Sequence, residues 1–100
     1  MALFLIKRGV PGSDQGDIDA AVFRSMACVY QFPGMRWITS YWDQANGISY
    51  CVYEAASREQ IEAHSARAQI PCDDVWEVSS VDPSQYIGSR AEVKAAIPAS

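Results

Sequence analysis

The sequence predicts an α+β domain in which a four-stranded antiparallel sheet carries two helices on one face. Three observations predict it: two capped segments with helical spacing, four short runs rich in β-branched and aromatic residues, and their order along the chain, strand, helix, strand, strand, helix, strand. The chain has 100 residues, enough for one core and too few for two.

The first element is the run Ala2 to Arg8, whose Leu3-Phe4-Leu5-Ile6 is apolar on both faces and is bounded by Gly9, Pro11 and Gly12. Such a short two-sided run reads as a central strand. Asp14 or Asp17 then caps a helix whose Ile18, Val22, Met26 and Val29 recur at three- and four-residue intervals, ended by Phe32-Pro33-Gly34. Met35 to Asp43 and Ile48 to Ala55 are the second and third strands, with Asn46-Gly47 supplying the positive backbone angles of a tight hairpin. Ser57 and Gln60 form a capping box for a second helix that stops before Pro71. Asp74 to Val81 alternates in polarity and runs into Asp82-Pro83, the end of a last strand. This order is the split β-α-β arrangement of ferredoxin-like folds, with the first and third strands central. The domain is expected over residues 1–86, with a surface or partner-swapped tail over 87–100.

Hairpin parity sorts the side chains by face, because even-numbered residues of the second strand oppose odd-numbered residues of the third. One face carries Ile38, Ser40, Trp42, Cys51, Tyr53 and Ala55, whose smaller members admit helices. The other carries Trp37, Thr39, Tyr41, Tyr50, Val52 and Glu54. A sheet face open to water should alternate toward polar residues, so this aromatic surface needs a cover. The expected cover is a second copy of the same sheet across a two-fold axis. A cleft for a small aromatic or apolar ligand, lined by Trp37, Tyr41, Tyr50 and Glu54 and serving a cofactor-free enzyme or a small-ligand sensor, is the rival reading, and the cleft and the dimer are compatible.

Composition removes several function classes. Eight basic and twelve acidic residues, scattered along the chain, give a net charge of −4 and no basic stripe for nucleic acid. The apolar stretch Ala2 to Ile6 is far short of a membrane span and lacks the flanks of a signal peptide. Cys28, Cys51 and Cys72 are odd in number and form no Cys-x-x-Cys pair, which fits a reducing cytoplasm better than a disulfide framework. Gly9-Val10-Pro11-Gly12 lacks the lysine and serine of a phosphate loop.

No motif dictates a reaction, so enzymatic activity is not assigned. His64 is the lone histidine and falls on or beside the inward stripe of the second helix, level with Cys51 to Tyr53. His64, Cys51 and Tyr53 form one candidate group, for a borderline metal or an activated thiol. The alternative is a buried thiol acting as a small hydrophobe beside a hydrogen-bonded imidazole and phenol. Cys72-Asp73-Asp74 is a second candidate, a loop thiolate with carboxylates that suits a surface ion shared with another chain, or else a solvated turn. Glu54 is read as a cleft ligand or as the partner of Arg36.

The strings Arg36-Trp37-Ile38-Thr39-Ser40-Tyr41 and Tyr50-Cys51-Val52-Tyr53-Glu54-Ala55, followed by Ile61-x-x-His64, Ile70-Pro71, Val75-x-Glu77-Val78 and Val81-Asp82-Pro83, carry a resemblance across most of residues 2–83. The chain resembles the small bacterial proteins of an uncharacterised domain family that includes a nickel-binding, ferredoxin-like homodimer. That resemblance implies a dimeric ferredoxin-like fold and binding of Ni2+ or another divalent metal, without implying catalysis. Gln69 stands where the family usually has a glycine before the Ile-Pro pair.

Overall fold

The computed structural model describes residues 1–86; the expected tail, residues 87–100, lies outside the described residues. The elements follow the expected order: β1 (Ala2–Gly9), α1 (Gln15–Val29), β2 (Arg36–Asp43), β3 (Ile48–Ala55), α2 (Arg58–Ala68) and β4 (Asp74–Val78), then a short 3-10 turn at Pro83–Tyr86. The sheet is antiparallel in the order β2-β3-β1-β4, which places β1 and β3 in the centre, the ferredoxin-like topology.

Local chemistry sets the boundaries. Asp14 caps α1 by accepting from the Asp17 N–H at 2.9 Å, while Asp17 accepts from the Asp14 N–H at 3.0 Å, a reciprocal box. Ser57 caps α2 by accepting from the Gln60 N–H, and Gln60 reaches back to the Ala56 N–H. α2 ends on Gln69, held in the left-handed conformation at φ 57°, where the expected family residue is glycine. The β2–β3 loop is four residues long, and Gly47 alone takes a positive φ there. Gly47 is tied to the β1–α1 loop, since its carbonyl accepts from the Val10 N–H at 2.8 Å.

The core lies between helices and sheet and is built from Phe4, Ile6, Val29, Tyr53, Ile61 and Val75. Alternation along β1 buries Phe4, Ile6 and then Arg8, so the inward row of the central strand ends in a cation. α1 is turned toward α2: the Ser25 carbonyl meets His64, and Arg24 donates to the Ala68 carbonyl at the end of α2. This rotation brings Ser25 inward and leaves Met26 exposed, where the spacing predicts the reverse.

One feature of β2 rearranges the faces. A β-bulge between Trp37 and Thr39 leaves Ile38 without a cross-strand partner and shifts the register by one. Trp37 therefore pairs with Tyr53 and stacks on it beneath the helices, with ring centroids 5.9 Å apart and planes 6° from parallel. Ile38 turns outward instead. The expected placement of Trp37 on the open face and Ile38 under the helices is thus corrected, while Ser40, Trp42, Cys51, Tyr53 and Ala55 lie on the expected side.

Candidate functional site

Register places the open face in three rows across β2, β3, β1 and β4. The central row is Thr39, Val52, Leu5 and Trp76; one flank is Tyr41, Tyr50, Lys7 and Asp74; the other is Arg36, Glu54, Leu3 and Val78, with Ile38 beside it. Tyr41, Ile38 and Trp76 are exposed. Charges sit on the flanks, and Arg36 donates to Glu54 at 3.2 Å in an ion pair. The cleft quartet is therefore divided: Tyr41, Tyr50 and Glu54 share the open face, and Trp37 lies beneath the helices.

The helix side holds the other candidate residues. His64 is fully buried. Its Nε2 lies 3.0 Å from the Ser25 carbonyl, so that nitrogen carries the proton in the neutral ring, and its Nδ1 has no partner among the described residues. Its ring centroid is 5.3 Å from that of Tyr53 and 5.8 Å from that of Phe32. Burial holds the imidazole below its ordinary value of 6.5; the Ser25 carbonyl opposes that shift and the Arg8 charge reinforces it. Tyr53 is pushed up to about 12, chiefly by burial.

Arg8 stands among these groups. It is 4% exposed, its Nε donates to Cys51 Sγ at 3.4 Å, its Nη1 donates to Ser65 Oγ at 2.9 Å and to the Pro71 carbonyl, and its guanidinium lies 5.9 Å from the Tyr53 ring centre. Ser49 also contacts Cys51 at 3.6 Å. The donor set of His64, Cys51 and Tyr53 thus fits a cation poorly, because the fixed positive charge of Arg8 already lies against Cys51 and the Tyr53 ring. Among the described residues no three His, Cys, Asp or Glu side chains converge to hold an ion.

Cys72, Asp73 and Asp74 lie where the chain enters β4. Cys72 is half-buried against the core, the Asp73 carboxylate accepts from the Gly9 N–H, and Asp74 is exposed opposite Lys7 at the edge of the open face. These are anionic oxygen and soft sulfur donors, suited to a borderline divalent ion. These three side chains do not converge on one point among the described residues.

Next to Arg8 is a cavity of about 290 Å3 between α1 and the β2–β3 edge, walled by Ile18, Val22, Trp37, Trp42, Tyr53 and Ile70 among others. Sequence reading missed its polar groups. Arg8 was the end of an apolar strand, although the Phe4, Ile6, Arg8 alternation points it inward; Trp42 was assigned to this face without a role.

No helix among the described residues is long and apolar enough to cross a membrane. No curated protein matches the chain. Among solved structures, the protein SCO4226 from Streptomyces coelicolor A3(2) is similar, with a TM-score of 0.73 and 24% identity over 81% of this chain and 100% of that one, a likeness of fold. The model of the family described as nickel responsive protein SCO4226-like matches residues 4–78, a span that runs from β1 to the end of β4 and takes in both helices, the bulged hairpin and His64, and the chain belongs to that family.

Proposed function

We propose that the protein is a nickel-responsive homodimer, joined through the open sheet face, that holds Ni2+ or another divalent ion at the subunit boundary rather than in the buried core. The observation that carries the reading is the pattern of the open face: an apolar central row with charged groups confined to its flanks, the layout of a protein interface with an apolar centre and a polar rim. Four strands at about 4.8 Å and eight residues at about 3.3 Å give a footprint on the order of 500 Å2, and its corrugated accessible area approaches the roughly 800 Å2 per partner of a stable complex.

Family membership supports the response to nickel. The donor chemistry supports the place: Asp74 lies on the rim, next in the chain to Asp73 and Cys72, and a two-fold axis passing beside this edge would bring the partner's copy of the same donors to it. In this reading the domain needs no catalytic group, and its unpaired thiols suit the reducing cytoplasm. A small-ligand role for the helix-side cavity is independent of it.

Calorimetric titration of tag-free protein with nickel, with metal retention measured after gel filtration, tests the proposal. Saturable heat and retained metal are expected for the native chain, with both reduced at least tenfold in Asp74→Asn and unchanged in His64→Gln. No saturable binding, or binding that ignores Asp74 and vanishes with His64, overturns it.

A further inference from the structure

Two buried donors without partners line the cavity between α1 and the β2–β3 edge. Arg8 Nη2 and Trp42 Nε1 have no hydrogen-bond acceptor among the described residues, and both residues form the cavity wall. Buried donors are nearly always satisfied, and an unsatisfied one marks a missing acceptor. Arg8 is also a buried charge with no ion pair: the ion pairs of the described residues are Arg36 with Glu54 and Arg58 with Glu62. Its remaining partners are a thiol, a hydroxyl and a backbone carbonyl, none of which carries the opposing charge. An anion with at least two acceptor oxygens would satisfy both donors and offset the buried charge.

The wall decides which kind of anion. Apart from Arg8, it is mainly aliphatic and aromatic, with the Trp37 and Tyr53 rings stacked as one plate. Trp37 donates its own indole N–H to Ser40 Oγ at 2.9 Å, so it offers a face and no free donor. One uncompensated positive charge and two unpartnered N–H donors call for a single negative charge carrying more than one acceptor oxygen, and the apolar remainder disfavours a second charge. A volume of about 290 Å3 limits the occupant to a small molecule.

We propose that this cavity binds a small organic monocarboxylate with an apolar or aromatic body, its carboxylate accepting from Arg8 Nη2 and Trp42 Nε1 and its body lying against the Trp37–Tyr53 plate. Neither nickel nor a second copy of the chain takes part, so the site stands or falls apart from the metal reading.

The test is a proton–nitrogen correlation NMR titration of the native chain, without metal, following the three tryptophan indole N–H signals. The probes are benzoate and 3-phenylpropanoate, each paired with its neutral amide, with inorganic phosphate as a further arm. At least one acid should saturate, move the Trp42 indole signal most, leave Trp76 in place, and bind at least tenfold tighter than its amide. Trp42→Phe, which keeps a smaller aromatic ring and removes the donor, should weaken that acid by roughly tenfold, and Arg8→Lys by more. Equal affinity for acid and amide, phosphate binding as tightly as the acids, or no saturable shift at Trp42 overturns the proposal. The acid-to-amide comparison uses unaltered protein, so it decides the matter even if the Arg8 variant does not fold.

Discussion

If the open face pairs two copies as proposed, replacing Trp76 by lysine should separate them without unfolding either. Trp76 is 43% exposed in the single chain, and with about 250 Å2 for a tryptophan it leaves on the order of 100 Å2 in water. Covering that surface at about 25 cal/mol per Å2 contributes about 2.5 kcal/mol per copy, or about 5 kcal/mol for a two-fold pair. Interface area converts incompletely into affinity, because ordering and desolvation oppose it, so about half of this is retained. Every ~1.4 kcal/mol is a factor of ten, so the dimer constant should weaken by about a hundredfold. The monomer should tolerate the change: Trp76 is on an edge strand and pairs only with Leu5, and a lysine stem can lie across that leucine with its ammonium in water. Sedimentation velocity over a dilution series measures the first effect, and a urea transition the second, expected within about 1 kcal/mol of the native chain. A Trp76→Lys protein that dimerises as tightly as the native chain, or a native chain that stays monomeric at high concentration, refutes the reasoning.

Three further outcomes follow from backbone and titration. Gly47→Ala should destabilise the fold by at least ~2 kcal/mol in urea denaturation, since φ there is +65° and a Cβ would lie 2.7 Å from Pro11 Cα. Gln69→Gly should do the opposite: relief of a left-handed side-chain residue, worth about 1 kcal/mol, outweighs the added freedom of the unfolded chain, raising Tm by about 2–4 °C, and a lower Tm would count against it. His64 should make stability fall with acid. Its native pKa lies below the ordinary 6.5, so as pH drops through 6.5 the unfolded chain takes up a proton that the native chain refuses. The contribution is full above that value, is lost between it and the lowered native pKa, and is flat below, with a slope of at most about 1.4 kcal/mol per pH unit. Urea midpoints from pH 8 to 5, with the imidazole nitrogens followed by NMR, check it; a folded-state imidazole that titrates at or above 6.5 contradicts it.

The fold was legible because each level of the sequence agreed. Asp14 and Ser57 signal helix starts by their spacing to Asp17 and Gln60, Ile48 to Ala55 is the third strand to the residue, and the lone histidine falls inward as its spacing demands. Two features escaped for different reasons. The bulge at Ile38 has no compositional mark: any strand residue can be left unpaired, and what selects this one is the stacking of Trp37 on Tyr53, a contact between different strands. Parity arguments fail one-sidedly at such a point, which is why residues 39–42 fall on the faces that parity assigns and 37–38 are exchanged. Arg8 escaped because a cation at the end of an apolar strand ordinarily leads into solvent. Only the tertiary neighbours Cys51, Ser65 and Pro71 show that it stays inside.

The position of Arg8 also connects the two proposed sites. The segment that leads into β4 is pinned to β1 at three successive residues: the Pro71 carbonyl accepts from Arg8, the Asp73 N–H donates to the Lys7 carbonyl at 2.9 Å, and the Asp73 carboxylate accepts from the Gly9 N–H. An ion drawn to Asp73 competes with Gly9 for the same carboxylate, and any shift of that segment moves the carbonyl that orients the guanidinium. A carboxylate seated on Arg8 acts on the first of these contacts, the one between its guanidinium and the Pro71 carbonyl. Coupling between sites is reciprocal, so if nickel changes the affinity for an acid by some factor, the acid changes the affinity for nickel by that same factor. A cation placed in the core would meet Arg8 directly and be repelled. Placed at the boundary, as proposed, it would reach Arg8 only through the Pro71 to Asp74 strap, so one small sheet could present a metal edge and an anion pocket without either charge cancelling the other.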